Sequence, residues 1–192
     1  MSAEIAATTI WTVWYGTWIA AVMWSAKTAV QLKSDIRSLS RLCFGLGLVI
    51  AVVFPDDGSV LGSVSRKLWQ YPPWAAWMLV AAVVGCFAFC WWARLHLGRL
   101  WSGYVTLKEG HHIVDTGPYG IVRHPIYTGI IFATFFTALL RATPASFVGL
   151  ALVAAGLAAI ARTEERFLRV QLDAESYDNY RKRVSMLIPL IG

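Results

Sequence analysis

Residues 97–127 read LGRLWSGYVTLKEGHHIVDTGPYGIVRHPIY and hold three of the chain's four histidines, His111, His112 and His124, with Lys108, Glu109, Asp115 and Arg123. A second cluster, Arg162-Thr163-Glu164-Glu165, follows two further apolar runs. Cations in the first and paired carboxylates in the second supply both signs of charge, which suits a zwitterionic or mixed-charge ligand. Tyr119 and Tyr127, with Ile113 and Val114, offer aromatic and aliphatic surfaces that can sandwich a flat ring. Pro125 stands where a helix begins without losing a hydrogen bond, and the positive end of that helix favours an anionic ligand group.

Taken singly, each of these residues has a bland explanation. Arg123 and His124 can satisfy orphan backbone groups at a helix boundary, and Glu164 and Glu165 can complement the dipole at the start of a surface helix. The combination asks for more, because a cap needs one such residue and this chain supplies many. Adjacent histidines without a helical ligand spacing make a poor zinc or iron pattern, so no metal is expected. The chain has no Gly-rich phosphate loop, no Ser-His-Asp order and no DNA-binding motif.

The elements that must position these groups are membrane spans. The 192 residues are 57% hydrophobic and 15% charged, with a mean hydropathy of +0.56, which falls outside the usual soluble range. Ionisable groups at membrane depth are costly unless they line an aqueous or ligand-filled cavity, so the polar stretch reads as a functional site. Five apolar runs come near the roughly 20 residues needed to cross a bilayer: about 7–25, 38–54, 74–93, 126–140 and 145–161. The third is bracketed by Trp74 and Trp77 at one end and Trp91 and Trp92 at the other, as the two interfaces demand. Trp11, Trp14 and Trp18 lie on one face of the first, a stripe that suits helix packing or interface anchoring better than a ligand box. Small residues such as Gly149 and Gly156 let the fifth span approach a neighbour closely, and spans four and five are expected to form an antiparallel hairpin that brings the two charged clusters together.

The expected fold is therefore an all-α integral membrane protein of about five transmembrane helices in one domain, residues 1–192, with spans one to three in 1–96 and the motif-bearing region in 97–192. Residues 162–192 change character abruptly. Phe167, Leu168, Leu172 and Tyr180 can share one side of an amphipathic helix lying on the membrane surface. The N-terminus lacks the basic region of a cleavable signal, so the first run is expected to remain as an anchor. By this arrangement 14 Lys and Arg face one side and three (Arg66, Lys67, Arg141) the other, which puts the N-terminus outside and the C-terminus, with both polar clusters, in the cytoplasm. The net charge of +6 is accounted for by cytoplasmic loops and lipid headgroups rather than nucleic acid. Cys43, Cys86 and Cys90 sit in apolar runs and read as buried free thiols.

In its motif region the chain resembles the isoprenylcysteine carboxyl methyltransferase family, grouped with phospholipid N-methyltransferases among integral-membrane methyltransferases. The resemblance rests on His111-x-Ile113-Val114-x-x-Gly117-x-Tyr119, then Arg123-His124-Pro125-x-Tyr127-x-Gly129, then Glu164-Glu165-x-x-Leu168, Tyr177-x-x-Tyr180-x-x-Arg183 and Leu187-Ile188-Pro189. It departs from the family in a slightly longer segment between Leu168 and Tyr177, with Leu172-Asp173 where a Phe-Gly is usual. The resemblance implies S-adenosylmethionine bound on the cytoplasmic side, in a pocket made by the loop before span four and the C-terminal helix. The contacts it implies are His111, His112, Ile113, Val114, Tyr119, His124, Pro125, Tyr127 and Glu164. It further implies a lipophilic methyl acceptor entering from the bilayer, an isoprenylcysteine-like carboxylate or a related small lipid. Arg123, Arg162 and Glu165 are the catalytic candidates: a carboxylate acceptor needs a cation to place it, and an amine acceptor needs a base. Two rivals remain. Membrane sterol and isoprenoid reductases share the Arg-His-Pro-x-Tyr-x-Gly pattern and use NADPH, but there an acid typically follows the glycine, where this chain has Ile130. A small transporter subunit would carry polar groups through the bilayer, whereas here they gather at one face.

Overall fold

The computed structural model describes residues 1–21, 24, 28–31, 36–54, 62–102, 106–108 and 112–189, with backbone alone for 28–31, 36–37 and 106–108. Among the described residues there are six α-helices: α1 (Ala3–Ala21), α2 (Ile36–Leu48, extended by a π-helical segment Val49–Val53), α3 (Pro73–Leu97), α4 (Pro125–Arg141), α5 (Pro144–Gln171) and α6 (Ala174–Arg183). Two short strands, β1 (Thr28–Gln31) and β2 (Thr106–Lys108), pair antiparallel with an irregularity between Thr28 and Val30. That ladder ties the segment after α1 to the segment after α3; no periodicity in those residues announced it.

The α3 segment, taken to Leu100, and α5 are long and apolar enough to cross a membrane; 38–53 and α4 are shorter apolar helices. Large apolar side chains point outward along them, among them Leu42, Leu46 and Val53 on α2 and Trp74, Met78 and Leu95 on α3. Water would penalise such a surface and lipid tails do not.

The hairpin of α4 and α5 is built by local chemistry. Pro125 and Pro144 each open a helix. Ala142 closes α4 in the left-handed region at φ +54°, uncommon outside glycine and asparagine, with its N–H donating to Ala138 O at 2.9 Å. Thr143 and Ser146 then form a capping box on α5, with Ser146 N–H donating to Thr143 Oγ1 at 3.1 Å. The turn between the helices is thus two residues long, and the helices run antiparallel.

Close backbone approach fixes the other contacts. A Cβ at Gly149 would lie 2.6 Å from Ala51 N, one at Gly156 2.7 Å from Ser40 O, and one at Gly47 2.7 Å from Gly149 O. Glycine is required along this α2–α5 seam because the helices touch through their backbones. Gly129 does the same between α4 and α3, where a Cβ would collide with Cys90 Sγ and lie 3.0 Å from Cys86 O. On α1, Trp11 and Trp14 are buried against Phe87 of α3, and Trp11 Nε1 donates to Thr137 Oγ1 at 3.0 Å. The tryptophan stripe is packing, as its spacing suggests, and Trp14 and Trp18 also line the central cavity.

The C-terminal third differs from a single surface helix starting at Arg162. The helix of span five continues unbroken to Gln171, Asp173 caps a separate α6 by accepting from Ser176 N–H at 2.8 Å, and the chain turns back. Arg162, Glu164, Glu165, Arg166, Leu168 and Arg169 are good helix formers, and extending an existing helix avoids the cost of a new nucleus. Leu168 and Leu172 pack with Tyr177, Tyr180 and Val184. The apolar side foreseen for one helix is therefore shared by two.

Candidate functional site

A cavity of about 460 Å³ opens where the start of α4, the C-terminal half of α5, α6 and the 112–119 segment converge with α1 and α2. Its polar wall comes from His112, Arg123, His124, Tyr127, Glu164 and Arg41. Ile113, Val114, Tyr119 and Pro125 complete that side. Much of the remaining lining is apolar or aromatic, including Trp14, Trp18, Phe44, Leu48, Trp101 and Leu157.

The α4–α5 hairpin joins the two charged clusters. Tyr127 O–H donates to Glu164 Oε2 at 3.0 Å, and His124 Nδ1 lies 3.7 Å from the same oxygen. His124 Nε2 is 3.3 Å from Glu165 Oε1, so the imidazole sits between the two carboxylates and stacks on Tyr127 with centroids 5.3 Å apart and planes within 1°. Arg123 Nε donates to Glu165 Oε1 at 2.7 Å, while Arg181 Nε reaches Glu165 Oε2 at 3.3 Å. Glu165 is thus buried beneath three cationic or cation-capable groups, and Glu164 faces the cavity. Two adjacent acids on one helix point in different directions, as a step of about 100° per residue requires.

The returning tail locks this arrangement. Val122 and Ser185 form a parallel bridge, Arg123 N–H donates to Ser185 O at 2.8 Å, and His124 N–H donates to Met186 O at 3.1 Å. Arg123 Nη1 donates to the carbonyls of Arg181 and Val184, and Thr128 Oγ1 to Leu187 O at 2.7 Å. The backbone groups that precede helix α4 are satisfied by the chain terminus rather than by side-chain caps. Tyr180 O–H donates to Tyr119 O at 2.7 Å, and Arg183 Nη2 lies 3.0 Å from Asp115 Oδ2. Burial pushes the phenols of Tyr119, Tyr177 and Tyr180 above their ordinary range, so all three stay neutral. On the solvent side, the Arg169 guanidinium beside Asp178 holds that carboxyl below its usual range.

Of the residues singled out by sequence, His112, Ile113, Val114, Tyr119, Arg123, His124, Pro125, Tyr127 and Glu164 line the cavity. Glu165 lies behind them, in contact with Arg123 and His124. Arg162 is exposed and is not among the lining residues. His111 lies outside the described residues. The sequence reading did not single out Arg41, Phe44, Trp101 or Arg181. Arg41 is one of four basic residues in a run that looked like a cytoplasmic loop, and nothing in its spacing set it apart.

A buried cation also braces the cavity wall. Arg94, fully buried near the end of α3, donates through Nη2 to the carbonyls of Ala21 and Trp24 at 2.9 and 2.6 Å and through Nη1 to Gly98 O at 2.6 Å. Its guanidinium lies 4.4 Å from the Trp101 ring centroid. It caps the C-terminal end of α1, where a positive charge is favoured.

The profile of the isoprenylcysteine carboxyl methyltransferase (ICMT) family matches residues 77–170. The match begins inside α3, earlier than Leu97, and stops before α6 and the tail that closes the site. Over 101 residues the chain is 33% identical to a protein-S-isoprenylcysteine O-methyltransferase of Schizosaccharomyces pombe, covering 52% of this chain and 43% of that protein. It is 36% identical over 74 residues to a methanethiol S-methyltransferase of Crocosphaera subtropica, covering 38% and 28%. It is 31% identical over 101 residues to the cobalt-zinc-cadmium resistance protein CzcN of Cupriavidus metallidurans, covering 50% and 44%. Each aligned segment spans less than half of the relative's length. The hairpin, its paired acids and the Arg-His-Pro entry to α4 all lie inside residues 77–170, the half of the chain that is similar to the isoprenylcysteine carboxyl methyltransferase family.

Proposed function

We propose that the chain is an S-adenosylmethionine-dependent methyltransferase acting on a lipophilic acceptor at the membrane, with the carboxylate of an isoprenylcysteine-like thioether or a related small lipid as the acceptor class. The observation that carries this is the junction of Tyr127 with Glu164 at 3.0 Å on the wall of a cavity of about 460 Å³, a size within the usual range for small-molecule sites. The donor set fits the cofactor. Glu164 offers a carboxylate to a cationic group, His112 and His124 offer polar ring edges, and Ile113, Val114 and Tyr119 offer apolar surface to a nucleoside. When bound, S-adenosylmethionine supplies an electrophilic methyl group that needs alignment with a nucleophile and exclusion of water.

The chain's own residues are arranged for those two tasks. Tyr127 and His124 hold Glu164 in place, and Glu165 positions Arg123 and His124 from below. The tail at 184–187 and the Tyr180–Tyr119 hydrogen bond close the site from the solvent side. The aromatic wall from α1 and α3 shields it from the membrane side. No nucleophilic side chain is required of the protein.

In this reading α1 to α5 are five membrane spans, with the N-terminus outside and the site in the cytoplasm; α6 packs below the bilayer. Exposed apolar faces on α2 and α3 and the distribution of Lys and Arg support it. The relatives named for isoprenylcysteine and methanethiol methylation support methyl transfer, and Ile130 after Gly129 argues against the NADPH-dependent reductases.

Titration of purified protein with S-adenosylhomocysteine and with NADPH tests the proposal. S-adenosylhomocysteine is expected to bind, and Glu164→Ala to weaken it by about tenfold or more, as loss of a charge-assisted contact predicts. Preferential binding of NADPH would overturn it.

A further inference from the structure

The polar wall of the cavity contains a cation from outside the matched region. Arg41 is on α2, which precedes residue 77, and it lines the same cavity as Tyr127 and Glu164. Arg41, Phe44 and Leu48 stand at i, i+3 and i+7 on one face of α2, and all three line the cavity. The helix is held in that rotation by its neighbour. Gly156 of α5 leaves room for the α2 backbone to touch, since a Cβ there would lie 2.7 Å from Ser40 O and 2.9 Å from Phe44 N. One turn further along α5, Ile160 and then Glu164 line the cavity from the other side. A close backbone contact at Ser40 and Phe44 therefore flanks Arg41 and holds it on the lining of the cavity that Glu164 also borders. An arginine near the end of a membrane helix ordinarily extends its charge to the headgroups. This one lines the cavity that Tyr127, Glu164 and the tryptophans share.

We infer that Arg41 is the residue that positions the methyl acceptor, holding it as an anion at the boundary between the apolar wall and the cofactor side. This rests on the methyltransferase reading above and assigns specificity to α1 and α2, the helices that the family match leaves out. The apolar wall of Trp14, Trp18 and Phe44 takes the acceptor's hydrocarbon part, and the guanidinium takes its carboxylate. Methylating a carboxylate forms the O–CH3 bond as the S–CH3 bond breaks, with the electron pair remaining on sulfur. No proton is released, so a positioned cation serves where an amine acceptor would need a base. Arg41 orients; it exchanges no atoms.

The test uses the full chain in lipid nanodiscs, with Trp fluorescence as readout because Trp14, Trp18 and Trp101 line the cavity. Octanoate, octanol and octylamine are titrated into wild type, Arg41→Gln and Arg41→Lys, with and without S-adenosylhomocysteine. Wild type is expected to bind octanoate about tenfold more tightly than the other two, the magnitude of one charge-assisted contact. Arg41→Gln is expected to lose that preference and Arg41→Lys to retain most of it, while S-adenosylhomocysteine affinity stays within about twofold in all three. An unchanged octanoate preference in Arg41→Gln, or a wild-type preference for octylamine, overturns the assignment. Failure of S-adenosylhomocysteine to bind wild type is a separate result that overturns the methyltransferase reading, and the amphiphile series still decides whether Arg41 selects anions.

Discussion

Glu164 and Glu165 are neighbours in sequence with opposite surroundings. Glu165 has a side chain only 6% exposed and meets Arg123, His124 and Arg181, whereas Glu164 is 27% exposed, accepts from Tyr127 and borders the cavity. Removing one partner of a buried charge cluster leaves the others uncompensated at a cost of roughly 3 kcal/mol. Glu165→Ala is therefore expected to lower the thermal midpoint in detergent markedly and to weaken S-adenosylhomocysteine binding only through lost structure. Glu164→Ala is expected to leave the midpoint nearly unchanged and to act on binding. Equal midpoint losses for the two variants would contradict this division of roles.

At the scale of elements, the site depends on helices that touch through backbone. Gly149 has Ala51 N and Gly47 O within 2.7 Å of a built Cβ, and neither atom can move without shifting a helix, while Gly85 on the outer face of α3 has nothing within 4 Å. Overpacking of this kind typically costs about 1–3 kcal/mol. Gly149→Val is expected to destabilise the protein by that order and to loosen α2 from α5. Gly85→Val is expected to be close to neutral in the same thermal melt, since its side chain would meet only lipid. The α2–α5 seam sets the rotation of Arg41, so Gly149→Val should also blur the octanoate preference.

For the whole molecule, the two ends of the chain are expected on opposite sides of the membrane. The tail at 184–187 pairs with Val122–His124, so that tail, the start of α4 and the candidate site share one face, and the five spans proposed above would send the N-terminus to the other. In right-side-out vesicles, a protease site fused to the N-terminus should be cut and one fused to the C-terminus protected. Cleavage of both ends in sealed vesicles would rule out an odd number of spans. Among the described residues, the ionisable groups of the cavity gather at one end of α4 and α5, while the Lys67–Glu4 pair and Arg141 lie at the other end.

What the sequence determined by itself was the set of helices and the candidate residues, because apolar runs, Pro at helix starts and Thr-Pro after Arg141-Ala142 act locally. The charged clusters were legible as a site since so many ionisable residues in an apolar chain demand a cavity. Only the tertiary structure decided which carboxylate faces the cavity, because Glu164 and Glu165 differ by rotation about α5 and not by composition. It alone brought Arg41 to the cavity, through the glycine seam between two helices more than a hundred residues apart. It also joined the tail to the start of α4 and carried span five on to Gln171. Those contacts join segments distant in the chain, and no spacing within either segment encodes its partner.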